Sequence, residues 1–467
     1  MSEEKETKTL MVLRKKDSAI QIFTPETLSD ISLPIVFREE TYLFKGKRLE
    51  SGGLDIGESV LFVEEYDGRP LSSRLTQCPK TPEDWIGRLQ FHSFPVDSKS
   101  ILSFWNERRK QFDRLVPFLW AEACALDTFY FPLHIAKKIT LTQRECLRIL
   151  ANGFFCSFSR DSYHWNDYPS INWDRLYARL GSVEYAKLSM FWDYFSRSYE
   201  RIQNGDSLQN ILQFSLLEGG LSKAEWLQSD KRLASVTMQA PMTSIDGARH
   251  AWRADFANRY LGGASLSHGC VQEEILFSIC PELNVGRLFS RYMRPNEAIA
   301  MVGAEQFAVP QGYGWSFSNG GVHQDSTPVQ EGVLQSFLVA LDACDYRRRD
   351  PRSQYQEVDI LRDVNKAYIA FGAPFGPRIV ATGNWGCGVF GGNPALKLLL
   401  QWMAVSQSNR SLLYYPWEQR PLCERVPVIV QKAIDKGIRV REMAHFLFHI
   451  LEPGTDVLTQ FTRFLEE

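Results

Sequence analysis

The sequence lacks three features that would each place it in a familiar class of protein. Its nine cysteines include no CxxC pair and are odd in number, so a reducing compartment fits better than a disulfide framework. Its most apolar long stretch, residues 116–135, contains two prolines and two acids and is too broken to span a bilayer. The net charge of -2 provides no global basic field, so any polyanionic ligand must be held by local features. Together with a polar N-terminus, these absences predict an intracellular protein, nuclear or cytoplasmic, without membrane or direct nucleic-acid binding.

The chain has the composition of a globular protein, and its two halves differ in their hydrophobic patterns. Its 467 residues are 44% hydrophobic, enough for two or three domains. Residues 80–215 carry mostly helical patterns, whereas after about residue 230 short apolar runs alternate with helical stretches. Strands that alternate with helices imply a layered α/β domain with a parallel or mixed sheet. We predict helices at 102–120, 141–158, 184–202, 394–406 and 440–452, and strands at 298–304, 336–343, 378–383 and 411–417.

The predicted helix at 141–158 has clear local signals. Thr142 is a candidate N-cap and Glu145 stands three residues later, an arrangement that forms a capping box. Its apolar positions repeat at the helical period, so we expect this face to pack into a core. The face consists of Cys146, Ile149, Leu150, Gly153 and Phe154.

The most informative segment, residues 255–275, reads DFANRYLGGASLSHGCVQEEI. Gly262 and Gly263 can take a positive φ and let a ligand approach the main chain closely. Gln272, Glu273 and Glu274 bring amide and carboxylate groups to the same neighbourhood, a combination from which a sugar site could be built. The same residue types also suit a plain surface turn followed by a solvated helix start, where acids favour the positive end of the helix dipole. Residue types alone leave both interpretations open.

A second glycine-rich segment, GNWGCGVFGGNP, lies between a predicted strand and a predicted helix. Gly386, Gly388 and Gly391 form a literal GxGxxG, which in a Rossmann dinucleotide site is followed about twenty residues later by an acid that ends the next strand. Here that strand ends in YYPW, so a hydride-transfer enzyme is not favoured. Glycines still let successive amides face a diphosphate, and the following helix adds its positive end. We therefore predict a phosphate-binding loop.

These motifs together resemble one family, the poly(ADP-ribose) glycohydrolases. In that family a glycine-rich loop is followed by a short spacer and Gln-Glu-Glu, as it is here, and DFANR upstream also agrees. LANGFFCSF and DYPSINWDRL are similar to the helical accessory region of the family, and AEQF, QGYGW and VNKAY have counterparts too. The resemblance implies an α/β macrodomain-like mixed sheet sandwiched by helices, with an N-terminal helical accessory domain. We assign residues 1–228 to the accessory region and 229–467 to the macrodomain-like catalytic domain.

The resemblance also implies roles for individual residues. Glu274 would be the catalytic general acid, Glu273 would hold the ribose hydroxyls, and Asp255 would lie close to the same ribose. Tyr313 and Trp417 would stack on adenine. The other residues that the resemblance places at the ligand are Gly262, Gly263 and Ala264 in the first loop, Asn258 near the ribose, Gln272, Ile245 and Asp246 at the adenine side, and Asn384, Gly386, Cys387, Gly388 and Phe390 at the diphosphate.

The implied reaction is hydrolysis of a glycosidic bond. Glu274 would protonate the 2'-hydroxyl leaving group as the ribose-to-ribose bond breaks, and the ionised carboxylate would then activate the attacking water. Adjacent residues on a helix diverge, so Glu273 and Glu274 do not flank one bond as a standard carboxylate pair. The implied substrates are poly(ADP-ribose) and poly(ADP-ribosyl)ated proteins, and the product is ADP-ribose. We expect neither a metal nor a cofactor.

One departure from the family pattern and two other functions stay open. The family commonly has a third glycine where this chain has Ala264; a positive φ there would cost alanine on the order of 1 kcal/mol, whereas a negative φ would make the methyl group nearly free. A non-catalytic reader of ADP-ribose would share the fold but lack the acid pair. A hydrolase of the bond between ADP-ribose and protein would share both the fold and the chemistry.

Overall fold

The computed structural model describes residues 77–91, 95–126, 128–129, 133–158 and 168–467, together with short strands before residue 56. The chain divides into two compact units. The first unit comprises Met1–Gln213, Gly262–Arg291 and Glu305–Ser326, and the second comprises Phe214–Leu261, Tyr292–Ala304 and Thr327–Glu467. The segment with the glycine pair and the two glutamates thus belongs to the unit that holds the N-terminal helices. The domain boundary at 228/229 stays a prediction.

The elements have the following bounds. The strands are β1 (Lys8–Lys16), β2 (Ala19–Phe23), β3 (Ile35–Val36), β4 (Thr41–Arg48), β5 (Leu54–Asp55), β6 (Thr128–Phe129), β7 (Lys138–Thr142), β8 (Ile211–Glu218), β9 (Val236–Met238), β10 (Trp252–Asp255), β11 (Glu297–Val302), β12 (Ala308–Gln311), β13 (Ser318–Val322), β14 (Val329–Gln330), β15 (Val333–Leu334), β16 (Phe337–Ala340), β17 (Ile379–Gly383) and β18 (Ser411–Tyr415). The α-helices are Pro82–Phe91, Ser98–Glu107, Arg109–Cys124, Leu133–Ala136, Gln143–Phe154, Asp174–Ala178, Ser182–Gln203, Lys223–Leu227, Gln272–Ile279, Glu357–Phe371, Pro394–Gln407, Arg420–Asp435, Val440–His445 and Val457–Phe464.

The second unit is built on a mixed sheet. Its strands lie in the order β14-β15-β8-β11-β16-β10-β17-β18-β9. The run β16-β10-β17-β18-β9 is parallel, and β11 joins β16 in the antiparallel direction. Parallel strands direct their carboxyl ends to one edge of the sheet, where ligands of α/β folds bind. This sheet, with its helices, confirms the predicted mixed α/β fold.

The core of the second unit explains why its strands read as continuous apolar runs. All six residues of β11 are buried, as are the central residues of β17, because the sheet is covered and neither face is left to solvent. Helix Pro394–Gln407 buries twelve of its fourteen residues and packs on helix Glu357–Phe371. No helix within the described ranges is long and apolar enough to cross a membrane.

The first unit has a core of packed aromatic rings. Phe154, at the end of helix Gln143–Phe154, stacks on Trp85 with ring centroids 5.4 Å apart and meets Trp105 and Trp173 edge to face. Trp173 in turn stacks on Phe195 at 5.5 Å. Offset and edge-to-face pairs of this kind stabilise a core beyond the area they bury. These rings are buried, so they form the core of this unit.

The helix predicted at 141–158 is confirmed together with its cap. Thr142 has an extended backbone and its hydroxyl accepts from the Glu145 N–H at 3.2 Å, while the Glu145 carboxylate accepts from the Thr142 N–H at 2.6 Å. The two bonds satisfy two of the four free N–H groups at the helix start. The helix ends at Phe154, four residues before the predicted end.

Two predicted helices differ from the structure. The helix predicted at 102–120 is two helices, because Arg108 leaves the helical conformation and its guanidinium donates to Tyr185 and Ser189 of helix Ser182–Gln203. That tertiary contact overrides local helix propensity. The helix predicted at 440–452 is α-helical only over Val440–His445 and continues as a π-helical turn, Phe446–Ile450.

Two helical glycines, Gly153 and Gly87, allow the close packing of the first unit to be tested. A Cβ on Gly153 would lie 2.7 Å from the Ile171 carbonyl oxygen, whereas a Cβ on Gly87, also helical, would meet nothing within 4 Å. We expect Gly153→Ala to lower the free energy of unfolding by about 1–3 kcal/mol through overpacking. Gly87→Ala should raise it by about 0.5–1 kcal/mol through helix propensity. Urea denaturation of both variants measures this; equal effects would contradict the packing described.

Candidate active site

The glutamate pair opens a short helix that we call the acid helix, Gln272–Ile279. Val271 precedes it with an extended backbone, so Glu274 is the third helical residue. From that position the Glu274 Oε2 accepts a hydrogen bond from the Val271 N–H at 3.1 Å, the reach-back half of a capping box. Glu273 is 2% exposed and Glu274 is 8% exposed. The interpretation of the pair as a solvated helix start is therefore wrong.

The glycine pair lies against these carboxylates, and we call residues 262–270 the acid loop. Gly262 and Gly263 have φ of +80° and +45°, the left-handed region that glycine adopts without penalty. This path directs the Gly262 N–H to the Glu273 Oε1 at 2.6 Å and the Ala264 N–H to the Glu274 Oε1 at 3.1 Å. Each carboxylate is thus held by its own main-chain donor, and the two side chains point to different parts of the loop.

A buried arginine supports the loop from the other side. Arg287 is 6% exposed, and its Nη1 donates to the Gly263 carbonyl at 3.1 Å and to the Ser265 hydroxyl at 3.2 Å. A Cβ on Gly262 would lie 2.7 Å from that nitrogen, so only glycine fits at this position. Burial lowers the pKa of Arg287 to about 10, and the charge of Glu273 acts against that shift. The guanidinium stays protonated at neutral pH and offsets a buried carboxylate.

Ala264 occupies its position without backbone strain, because it does not have a positive φ. Space for its methyl group comes from elsewhere in the loop. A Cβ on Gly269 would lie 2.6 Å from the Ala264 Cβ and 2.8 Å from the Glu274 Cγ and Cδ. Gly269 therefore makes room both for the extra methyl group and for the acid side chain.

The QGYGW segment contacts the start of the acid helix. The Gln272 N–H donates to the Tyr313 hydroxyl, and the Gly314 N–H donates to the Cys270 carbonyl at 3.0 Å. Burial raises the pKa of Tyr313, and the charge of Glu274 raises it further. The phenol is thus a neutral group near Glu274, while Tyr313 as a whole is 46% exposed. A half-exposed ring with an anchored hydroxyl is suited to stacking on a base.

In the second unit, the other glycine-rich segment follows β17, and we call residues 384–392 the phosphate loop. Gly386 and Gly391 have φ near +70°. A Cβ on Gly386 would lie 2.5 Å from the Ala343 Cβ, and the Gly392 N–H donates to the Gly386 carbonyl at 2.9 Å. Trp385 is buried and its indole N–H donates to the Leu341 carbonyl at 2.9 Å. The loop is a tight, anchored turn in which a Cβ on Gly388 or on Gly391 would meet nothing within 4 Å.

The remaining contacts of the phosphate loop fix its first residues. The Asn384 Nδ2 donates to the Pro416 carbonyl at 2.7 Å, and the Tyr414 hydroxyl donates to the Asn384 Oδ1 at 3.0 Å. Burial raises the pKa of the Cys387 thiol to about 12, so the thiol stays protonated at neutral pH. Phe390 is part-buried, with its ring 5.1 Å below the Arg347 guanidinium.

The other predicted residues of the second unit lie at or near the carboxyl edge of the parallel strands. Asp255 ends β10, is fully buried, and its carbonyl accepts from the Leu341 N–H at 3.2 Å. The Asn258 Oδ1 accepts from the Tyr260 N–H at 3.0 Å. Trp417 follows β18 with a φ of +54° and is 38% exposed. Burial, together with the nearby charge of Asp246, raises the pKa of Tyr415. Ile245 is buried in the 3-10 turn that also holds Asp246.

Each unit thus gathers its own set of predicted residues. The first unit brings together Gly262, Gly263, Ala264, Gln272, Glu273, Glu274 and Tyr313, and the second brings the phosphate loop to the strand edge that carries Asp255 and Trp417. The sequence did not predict a role for Arg287, Gly269 or Lys187. The Lys187 Nζ donates to the Ala264 and Ser267 carbonyls of the acid loop. Lys187 had a signal, since a lysine within the apolar run AKLSMFW must be buried or break the pattern.

A double-mutant cycle on Gly269 and Ala264 tests the geometry of the acid loop. We expect Gly269→Ala to lower the free energy of unfolding by about 1–3 kcal/mol, because its methyl group clashes with both Ala264 and Glu274. Ala264→Gly removes one clash, so the double variant should recover part of that loss. Thermal or urea unfolding of the two single variants and the double variant measures the coupling; additive effects would contradict the contact.

Comparison with known proteins gives consistent matches. Residues 223–424 match the family model described as "Poly (ADP-ribose) glycohydrolase (PARG), Macro domain fold", and residues 104–211 match the model of its helical domain. Poly(ADP-ribose) glycohydrolase 1 of Arabidopsis thaliana is 31% identical over 353 residues, covering 59% of this chain and 63% of that protein. Poly(ADP-ribose) glycohydrolase 2 of Caenorhabditis elegans is 32% identical over 323 residues, covering 66% and 63%. This chain therefore spans less than two thirds of the length of these relatives.

Solved structures also align with the chain, but weakly. A crystal structure of poly(ADP-ribose) glycohydrolase from Thermomonospora curvata aligns over 48% of this chain and 85% of that chain, with a TM-score of 0.26 and 17% identity. The two family models, by contrast, match more than half of the sequence, one in the helical region and one in the sheet region. The chain belongs to the poly(ADP-ribose) glycohydrolase family.

Proposed function

We propose that this protein hydrolyses the ribose-ribose O-glycosidic bonds of poly(ADP-ribose) and releases ADP-ribose, with Glu274 as the general acid. The proposal rests on family membership and on one observation above all. Glu274 is nearly buried, and each of its oxygens accepts one main-chain N–H, from Ala264 and from Val271. A carboxyl oxygen has two lone pairs, so each oxygen keeps one for a substrate or a water molecule. The group is oriented before the substrate arrives.

The reaction follows from one carboxyl group used twice. Glu274 donates its proton to the departing 2'-oxygen as the glycosidic bond breaks, which leaves an oxocarbenium-like ribose and a carboxylate. That carboxylate then takes a proton from the attacking water. Glu273 is fixed on the Gly262 N–H and does not share the proton work; we assign it to the ribose hydroxyls. We assign Asp255 to the same ribose as a third acid.

The other residues are assigned to the rest of the ADP-ribose unit. Tyr313 and Trp417 offer partly exposed rings, which suit stacking on adenine. Gln272, Ile245 and Asp246 are assigned to the adenine side, and Asn258 to the ribose. The phosphate loop is assigned to the diphosphate, because a tight glycine turn at the carboxyl edge of parallel strands presents main-chain N–H groups to an anion. Asn384, Gly386, Cys387, Gly388 and Phe390 belong to that loop.

The choice of substrate distinguishes polymer hydrolysis from two related functions. A reader of ADP-ribose would bind polymer and release nothing, and a hydrolase of the protein-linked unit would act on mono-ADP-ribosylated protein. We propose poly(ADP-ribosyl)ated proteins in the nucleus or cytoplasm as the natural partners. The deciding experiment incubates purified protein with automodified poly(ADP-ribosyl)ated protein in the presence of a chelator and follows free ADP-ribose. Release supports the proposal; binding without release contradicts it.

The role of Glu274 predicts a specific loss. We expect Glu274→Gln to lower the rate of ADP-ribose release by about 100-fold or more, because an amide cannot donate the acid proton. Binding of ADP-ribose should stay within a few-fold of wild type, as measured by calorimetry. Glu200→Gln, on an exposed face of helix Ser182–Gln203, is the matched control and should leave both quantities unchanged. A Glu274→Gln enzyme with near-normal turnover would exclude this residue as the acid.

A further inference from the structure

A buried lysine of the accessory helices contacts the acid loop. Lys187 lies in the second turn of helix Ser182–Gln203 and has no exposed surface. A buried ammonium group is costly unless its donors and its charge are both satisfied. Neither the family resemblance nor the reaction proposed above gives this residue a role, so its contacts decide what it does.

The donors of Lys187 are satisfied by the acid loop itself. The Nζ donates to the Ser267 carbonyl at 2.7 Å and to the Ala264 carbonyl at 3.1 Å. The Ala264 carbonyl also accepts from the Ser267 N–H at 3.0 Å and the Gly269 N–H at 3.2 Å, so this oxygen is the point where the loop closes. The N–H of the same Ala264 donates to Glu274. One residue therefore connects the lysine to the proposed acid.

The charge of Lys187 is balanced by groups around the same loop. Glu184, one turn earlier on the helix of Lys187, favours the protonated amine, as does Glu274 of the acid helix once it is ionised, whereas Arg287 opposes it. Burial raises the pKa of the nearby Cys270 thiol, so this group carries no charge at neutral pH. Burial is the largest influence and lowers the pKa of Lys187 to about 8. The amine is therefore mostly protonated at neutral pH and loses its charge in the mildly alkaline range.

We propose that Lys187 is a positioning residue for catalysis: it fixes the acid loop so that the Ala264 N–H meets Glu274, and it places a positive charge beside that carboxyl. The charge stabilises the carboxylate that forms once Glu274 has given up its proton. This inference rests on the proposed function, since it assigns a supporting role in the same reaction. It also gives the accessory helices a chemical task in addition to packing.

The two parts of this role can be separated by pH. A neutral amine keeps two N–H groups, enough for both loop carbonyls, so deprotonation removes the charge and leaves the tether in place. We therefore expect kcat of the wild type to fall as the pH rises through about 8. Stability should not fall with it: between about 8 and the ordinary lysine value of 10.5 the unfolded state binds more protons, so this group makes the free energy of unfolding rise with pH.

The test compares Lys187→Met, which has a similar length and no charge or donors, with Lys187→Arg and wild type. We expect Lys187→Met to lower kcat by about 10- to 100-fold with KM and ADP-ribose affinity little changed, since a misplaced acid affects the chemical step. Lys187→Arg keeps its charge at every pH used and should recover part of kcat without the fall above pH 8. Lys110→Met, on an exposed helix face, is the control and should match wild type.

Three outcomes would overturn the inference: an unchanged kcat in Lys187→Met, a parallel loss of kcat and ADP-ribose binding, or the same alkaline fall of kcat in Lys187→Arg and wild type. Hydrogen exchange at the Ala264 amide provides a readout that does not depend on activity. It should be faster in Lys187→Met than in wild type and unchanged in Lys110→Met. The wild-type rate alone tests the proposed function. If the wild type is inactive but exchange at the Ala264 amide is faster in Lys187→Met, the proposed reaction is rejected and the contact of Lys187 with the acid loop is supported.

Discussion

Two hydrogen bonds from the acid loop to the glutamate pair are the contacts on which the proposed site depends. The Gly262 N–H holds Glu273 and the Ala264 N–H holds Glu274. Both bonds require the chain to pass through two consecutive left-handed residues, which explains why glycine stands at 262 and 263. With these bonds in place the carboxylates lie in defined and separate positions; without them a Glu-Glu pair at a helix start would turn to solvent. The glycines, the spacer and the two acids of the sequence pattern thus form one hydrogen-bonded structure.

That unit stays buried because charges of both signs are gathered around it. Glu273 and Glu274 are accompanied by Arg287 and Lys187, all four of them nearly or fully inaccessible. Arg287 and Lys187 each donate hydrogen bonds to carbonyl groups of the acid loop. The two carboxylates accept hydrogen bonds from N–H groups of the same loop. An ionic cluster of this kind adds little net stability compared with an apolar core, but removal of one member leaves a buried charge without compensation. The cluster is better understood as a device for orientation.

Much of the fold could be predicted from the sequence, because its signals are local. The Thr142 capping box and the buried strands follow from residue types at fixed spacing. The break at Arg108 could not be predicted, since its cause is a contact with a helix some eighty residues later. For the same reason the contacts of Lys187 could not be predicted, because the acid loop lies some eighty residues further along the chain. Gly269 has its neighbours, Ala264 and Glu274, only five residues away, but their close approach depends on how the loop folds back on itself. Ala264 is an intermediate case. Its departure from the family pattern was visible, but only the backbone angle and the space at Gly269 show why the methyl group fits.

The most direct test of the account is residue-resolved hydrogen exchange at the Gly262 and Ala264 amides. In wild type both amides should exchange far more slowly than those of an open loop, because each is bonded to a buried carboxylate. Glu273→Ala should speed exchange mainly at Gly262, and Glu274→Ala mainly at Ala264. Rapid exchange at both amides in wild type, or exchange that neither truncation changes, would contradict the claim that this loop holds the acids in place.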